Sequence, residues 1–203
     1  MDINRIPFYQ YNTIIVGTGA AGLNAAVTLH KLGQKNIALI TEGRYMGTSR
    51  NTGSDKQTYY KLTQCGSEPD SVRKMAETLF DGGCVDGDIA MAEAAGSLRA
   101  FYHLVDIGVP FPFNKSGEYV GYKTDHDPLK RGISAGPLTS KYMTECLERQ
   151  AEERGIPFFD GYQAVRLLTE EKNGEKWAAG IIALNKRKAA SADERYACLL
   201  YTS

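Results

Sequence analysis

The sequence predicts an α/β fold: a Rossmann-like nucleotide-binding domain with a central parallel sheet, inserted helices and a small antiparallel β excursion. Three observations predict it. A β-branched run at residues 13–16 (TIIV) stops on Gly17-Thr18-Gly19-Ala20-Ala21-Gly22, a G-x-G-x-x-G pattern, and an alanine- and leucine-rich segment follows to Leu32, with Gly33 where a helix C-terminus falls. A second apolar run at 37–40 leads to Thr41 and Glu42, twenty residues after Gly22. Farther on, another short apolar run at 156–159 follows a helical stretch, and two β-rich runs, 163–169 and 177–184, flank the hairpin signal Asn173-Gly174.

Each placement in the first βαβ unit has a chemical reason. Gly17 lets the chain turn tightly, Gly19 clears a side chain so that backbone N–H groups can approach a pyrophosphate, and Gly22 lets the helix pack close to the strand. Phosphates then sit on the positive end of a helix. Glu42, at the carboxyl end of the second strand, can accept both hydroxyls of an adenosine ribose, and its charge disfavours a 2′-phosphate. A lone glycine pattern is weak; strand, glycines, helix, second strand and terminal acid in register specify a dinucleotide site.

After Glu42, residues 43–57 are rich in Gly, Ser, Thr and Asn without an apolar period and read as a loop along the carboxyl edge of the sheet, suited to phosphate and a flat ring, or simply solvated. Pro69-Asp70-Ser71 opens a helix over 71–80 that Gly82-Gly83 closes. Asp88 can cap a longer helix to about Asp106, with Ile89, Ala92, Ala95, Leu98, Phe101, Tyr102 and Val105 inward. His103 in that helix reads as a packed or surface histidine. Residues 109–136 are aromatic and punctuated by Pro and Gly, and carry Asp125-His126-Asp127. Adjacent loop residues rarely converge on one metal and no further ligand lies at metal spacing, so no metal is expected; residues 123–131 read either as a flavin or substrate contact or as a solvated loop. Pro137 suits the first turn of a helix to about Arg154, with Leu138, Tyr142, Met143, Cys146 and Leu147 inward. Residues 186–195 form a polar connector.

With 203 residues, 42% apolar, and 24 basic against 24 acidic residues, the chain can bury one substantial core, and no basic surplus points to nucleic acid. The apolar runs are too short to span a bilayer and the polar start lacks a signal-peptide core, so a cytoplasmic location and no transmembrane segment are expected. Cys65, Cys84, Cys146 and Cys198 form no C-x-x-C and read as reduced thiols. The last six residues, CLLYTS, match one reading frame of a transposon end used in sequencing libraries. The natural frame is therefore expected to be cut near Ala197, with 198–203 a non-native tail; a natural terminal strand is the alternative.

Taken in order, GTGAAGLNAA, the acid at Glu42, SRNTGSDKQ, the GGCVDGD segment, LVDIGVPF with a turn at Ser116-Gly117, and GYQAVRLLTE…GIIALN resemble the flavoprotein subunits of the succinate dehydrogenase and fumarate reductase family, to which L-aspartate oxidase also belongs. The resemblance covers nearly all of 10–197. It implies that Gly17, Gly19, Ala20, Ala21, Gly22 and Glu42 contact the pyrophosphate and ribose of FAD, and that Gly43, Thr48, Ser49 and Gly53 lie in the loop passing pyrophosphate and flavin. It also implies that the backbone of Ala164 holds the adenine. Some members attach FAD through a histidine after a serine in that loop; here Arg50 and Asn51 follow Ser49, so non-covalent FAD is expected. In the family a capping domain after the hairpin supplies substrate-binding residues and a proton-donating arginine. Residues 194–197 resemble the start of the strand that leads there, so residues 1–197 read as the N-terminal part of the FAD-binding domain and no catalytic residue is assigned.

The resulting reading is the FAD-binding portion of a flavin-dependent oxidoreductase, moving a hydride through flavin N5 to or from a small molecule, by family default a four-carbon dicarboxylate, with room for an electron-transfer partner subunit. Two alternatives stand beside it. One is a nicotinamide-binding dehydrogenase sharing the βαβ unit, against which the long excursion from Gly43 to Gly155 argues. The other is a catalytically inert fragment.

Overall fold

A computed structural model of the chain describes residues 6–54, 57–125, 127–187 and 196–201. The chain divides into two compact units, one made of residues 1–51 and 147–203 and the other of residues 52–146.

In the first unit, strand β1 (Phe8–Tyr11) precedes β2 (Thr13–Val16), which runs into helix α1 (Ala20–Lys31) and then strand β3 (Ile37–Thr41). The two β-branched strands pair in parallel, with Ile14 opposite Ala38 and Val16 opposite Ile40. Residues 37–40 are fully buried, as a strand covered on both faces must be, whereas Val16 at the end of β2 is 57% exposed. The short helix α2 (Thr48–Asn51) follows. Strand β6 (Phe158–Asp160) extends the parallel sheet to the order β2-β3-β6. It starts two residues later than its apolar run: the Ile156 N–H closes the preceding helix on the Ala151 carbonyl, and Pro157 has no N–H to offer, though its carbonyl accepts from Leu39 at 3.0 Å.

A second sheet in this unit places β1 beside β9 (Tyr196–Tyr201), then β8 (Glu175–Asn185) and β7 (Tyr162–Lys172). Strands β7 (Tyr162–Lys172) and β8 (Glu175–Asn185) are the expected hairpin, longer than its apolar runs, with Lys172 opposite Glu175. Asn173 and Gly174 take φ of 54° and 80°, the left-handed pair that a two-residue hairpin turn requires. Strand β9 (Tyr196–Tyr201) lies antiparallel to β8 and parallel to β1, with Phe8 opposite Cys198, so the strand covers positions 198–201 that were expected to be a non-native tail. Between the sheets Ile40, Ile181 and Ala183 form the core, walled by Tyr9, Tyr11, Ile14, Phe159, Tyr162 and Ala164. The Tyr9 and Phe159 rings meet edge-on at 4.8 Å.

The second unit pairs the two-residue strands β4 (Tyr59–Tyr60) and β5 (Gly132–Ile133) antiparallel. Helix α3 (Val72–Asp81) begins where expected, with the Ser71 hydroxyl accepting from the Lys74 N–H at 3.1 Å. Helix α4 (Gly87–Asp106) corrects the sequence reading twice. Its cap is Asp86, whose Oδ1 accepts from Asp88 and Ile89 at 3.0 and 3.1 Å, while Asp88 lies in the first turn. Its buried face is Ala90, Ala94, Ser97, Phe101 and Leu104, with Ile89 63% exposed. Small residues face inward because α4 packs closely on Met75 and Ala76 of α3. His103 lies in the last turn of α4 and is half-buried.

Helix α5 (Thr139–Glu153) starts after Pro137 and Leu138, the latter 39% exposed rather than inward. Cys146 and Leu147 are buried as expected, and Thr144, Glu148 and Ala151 join them. The 123–131 segment holds a charge interior to the second unit. Arg131 is fully buried, donating from Nε and a terminal nitrogen to the two Asp70 oxygens at 2.9 and 2.7 Å, and also to Thr78 and the Tyr60 hydroxyl. Arg131 is thereby a structural cation rather than a solvated or ligand-facing one. His126, read in the Asp-His-Asp triplet, lies outside the described residues. Among the described residues no three His, Cys, Asp or Glu side chains converge on a common metal position.

Candidate dinucleotide site

The carboxyl ends of β2 and β3 open onto a cleft of about 440 Å³ within the first unit. Its floor is the turn after β2. Gly17 adopts φ of 101°, which only glycine takes without strain, and its N–H donates to the Ile40 carbonyl at 2.8 Å, tying the turn to the neighbouring strand. Thr18 is buried and its hydroxyl donates to that of Thr41 at 3.1 Å. Gly19 is the extended N-cap of α1, and no side chain caps the helix. No acid sits in its first turn either, so the first N–H groups keep their hydrogen-bonding capacity for an anion.

The third glycine shows the strictest geometry. A Cβ on Gly22 would stand 2.1 Å from the Gly17 carbonyl oxygen and 3.4 Å from a methyl of Ile15, so α1 can lie this close to β2 only without a side chain there. A Cβ on Gly19 would meet the Ser49 hydroxyl at 3.3 Å, which places the 43–51 loop against the glycine turn.

Glu42 continues β3 to the cleft rim. One of its oxygens accepts from the Lys186 ammonium at 2.8 Å, with both side chains nearly half exposed, and the other is uncommitted among the described residues. The opposite wall comes from the start of β7, where Tyr162, Gln163 and Ala164 face the cleft. Backbone bonds hold that junction in place: Gly161 donates to the Thr41 carbonyl at 3.0 Å and Lys186 to the Gly161 carbonyl at 2.8 Å.

The structure therefore gathers Gly17, Gly19, Glu42, Gly43 and Ala164 around one cleft. Ala20, Ala21 and Gly22 stand behind it in the first turn of α1. Thr48 and Ser49 open the short helix α2 beside it. Gly53 belongs to the second unit, where a Cβ would meet the Pro137 carbonyl at 3.3 Å. The residues that sequence reasoning passed over are Thr18, Thr41, Met46, Gly47, Tyr162 and Gln163. Thr18 and Gly47 carried a signal, the first as a variable position inside the glycine pattern and the second as a loop glycine, now seen at φ of 97°. Tyr162 and Gln163 carried none, since their place depends on where β7 crosses β3.

The arrangement offers backbone donors and a positive helix end at the tip of β2, and a carboxylate acceptor at the end of the adjacent strand β3. An extended anionic molecule with a vicinal diol matches that order of groups.

The profile of the FAD binding domain family matches residues 12–198. L-aspartate oxidase of Pseudomonas aeruginosa is 27% identical over 190 residues, covering 88% of this chain and 34% of that protein. The 8-methylmenaquinol:fumarate reductase flavoprotein subunit of Wolinella succinogenes is 28% identical over 166 residues, covering 80% and 27%. Among solved structures, Sdh1 of Mycobacterium smegmatis superposes with a TM-score of 0.81 at 16% identity, over 97% of this chain and 33% of that one, a likeness of fold. The chain thus spans about a third of the length of these relatives or less.

Proposed function

The chain belongs to the FAD binding domain family, and from that premise we propose that its cleft holds FAD, the pyrophosphate on the first turn of α1 and the adenosine ribose on Glu42. One observation carries this reading: the uncapped, glycine-cleared end of α1 and the carboxylate closing β3 line the same cleft. In this placement the backbone N–H groups of Ala20, Ala21 and Gly22 bind the phosphates, which demands the close helix–strand approach that Gly22 permits. The uncommitted oxygen of Glu42 accepts from the ribose diol, and Ala164 supports the adenine by its backbone. Gly43, Thr48 and Ser49 serve the pyrophosphate and flavin. Bound flavin supplies two-electron hydride chemistry at its N5.

The attachment is non-covalent in this proposal. The position after Ser49 is Arg50, and its guanidinium is engaged with Glu148 rather than offering a nucleophile. For the whole protein we propose a flavin-dependent oxidoreductase acting on a small carboxylate, with a dicarboxylate as the first substrate to try, located in the cytoplasm and open to an electron-transfer partner subunit. Among the described residues no helix is long and apolar enough to cross a membrane.

The purified chain should be yellow or take up FAD with quenching of flavin fluorescence, and acid or guanidinium should release all the flavin into the filtrate. Glu42→Ala should weaken FAD binding by about tenfold, the worth of one or two hydrogen bonds to a charged acceptor. A colourless chain that binds NAD but not FAD would defeat the proposal, and flavin retained after denaturation would defeat its non-covalent part.

A further inference from the structure

The loop between β3 and α2 is fastened at both ends to a single carboxylate. Near its start, the Arg44 N–H donates to Asp160 Oδ1 at 3.0 Å, and the Arg44 side chain donates from Nε to Glu148 Oε1 at 2.9 Å and from a terminal nitrogen to Glu152. Near its end, Arg50 bonds Glu148 Oε2. Glu148 and Glu152 lie one turn apart on α5, and the Glu148 side chain is only 9% exposed, those of Arg50 and Arg44 10% and 19%. The Arg44 guanidinium lies 4.0 Å from the centre of the Phe158 ring, and that of Arg50 5.3 Å from Tyr45. Inside the loop the Asn51 amide donates to the Tyr45 and Gly47 carbonyls at 2.8 and 3.1 Å.

This degree of fixation is unusual for a stretch of glycines and hydroxyls, which pays a large ordering entropy if it must be organised only when a ligand arrives. The loop contributes Gly43, Met46 and Gly47 to the cleft wall and sets Ser49 against Gly19. We propose that Glu148 is a positioning residue for the dinucleotide: by taking Arg44 on one oxygen and Arg50 on the other, it holds the 43–51 loop in the shape that lines the cleft. The inference rests on the FAD reading for its ligand but not for the clasp itself. Glu148 touches no cofactor; it acts through the two arginines. Buried charged pairs with both oxygens occupied lose heavily when one partner goes, so neutralising Glu148 removes the shared counter-charge of two largely buried guanidinium groups, leaves Arg44 with Glu152 alone, and frees the loop.

The test uses Glu148→Gln in the intact chain at a temperature well below its unfolding transition. Trypsin, with products read by mass spectrometry, should nick after Arg44 and Arg50 about tenfold faster than in the parent, while cuts elsewhere keep their rates, because local opening there is about 1.4 kcal/mol easier. FAD affinity by fluorescence quenching should fall about tenfold, mainly through faster release. If the parent chain binds no FAD, the functional reading fails while the tryptic arm still decides the clasp. Unchanged nicking at Arg44 and Arg50 overturns the proposal, even if the melting temperature drops, as does unchanged FAD affinity in a parent that binds it. Should Glu148→Gln not fold, Arg50→Lys, which keeps the charge but loses the guanidinium fork, should show the same two effects more weakly, and its failure to show either also overturns the proposal.

Discussion

Gly22→Ala should show whether the nucleotide turn depends on the close approach of α1 to β2. In an ordinary helix the change gains about 1 kcal/mol, since alanine loses less backbone freedom than glycine. At position 22 the added methyl would stand 2.1 Å from the Gly17 carbonyl oxygen. That is about 1.3 Å inside ordinary contact, and the obstacle is backbone, which has no rotamer to escape into. Relief requires α1 to lift from β2 or the Gly17 turn to move, straining the 2.8 Å bond from Gly17 to Ile40. Overpacking of this kind costs about 1–3 kcal/mol, so the propensity gain is cancelled or exceeded. A turn displaced by about an ångström also loses one or two charge-assisted bonds to a phosphate, worth about 1.5–3 kcal/mol each, so FAD binding should weaken at least about tenfold. Gly96→Ala is the internal control: Gly96 lies inside α4 and a Cβ there meets nothing within 4 Å. It should stabilise the chain by about 0.5–1 kcal/mol with FAD affinity unchanged. Urea titrations and flavin fluorescence quenching on both variants decide the matter. If Gly22→Ala unfolds at the parent midpoint and binds FAD as the parent does, the close helix–strand approach is not what the glycine pattern provides.

Asp70→Asn should cost about 3–5 kcal/mol in urea titration, because it leaves Arg131, fully buried, without its bidentate partner. Burial works to raise the Asp70 pKa, but the Arg131 bonds and the Thr63 and Ser71 N–H groups outweigh it and hold the carboxyl below its ordinary value. Its contribution is therefore complete above about pH 4, the unfolded value, and is lost as pH falls through the lowered folded one; the variant should lack that acid-side decline. Lys61→Met should stabilise by about 1–3 kcal/mol at pH 7, since the buried ammonium has one weak 3.4 Å bond to the Leu62 carbonyl and a face-on Phe101 ring at 4.9 Å. Burial lowers the Lys61 pKa, so the parent should gain stability as pH climbs from the lowered value toward the ordinary lysine range, and the variant should not. Tyr59 and Tyr60 are both pushed up to about 12 by burial, so their contribution is whole below pH 10 and fades as pH rises to 12. Urea midpoints across that window should fall less steeply in Tyr59→Phe than in the parent.

What the sequence disclosed divides along chemical lines. The βαβ unit was legible because its constraints are local: only glycine takes the Gly17 torsion and only glycine fits beneath the helix at Gly22, so the residues announce the geometry. The hairpin was legible for the same reason at Asn173-Gly174. Helix α4 was found, with Phe101 buried and Leu98 packed on the core as expected, but its close packing on α3 selected Ala90 and Ala94 and left Ile89 outside. Arg131 read as solvated or ligand-facing because its bidentate counter-ion Asp70 lies 61 residues away, a pairing no local pattern reveals, with Asp127 four residues before it approaching only to 3.4 Å. Glu148 was hidden likewise, a carboxylate on a helix whose partners stand 98 and 104 residues upstream. The dinucleotide contacts proposed at the glycines and Glu42 were reasoned from chemistry, whereas Ala164 came only from the family resemblance, and β7 does bring it to the cleft.

The sheet that seats β7 has a consequence for how the molecule is made. Its β1 strand lies beside β9, with Phe8 opposite Cys198, so two neighbours in space stand 190 positions apart in sequence. At ribosomal speeds of about 5–20 residues per second, β1 waits roughly 10–40 s for its mate to emerge. During that interval an unpaired edge carrying Phe8 and two tyrosines is open to stray pairing, so slow synthesis is a hazard rather than a help.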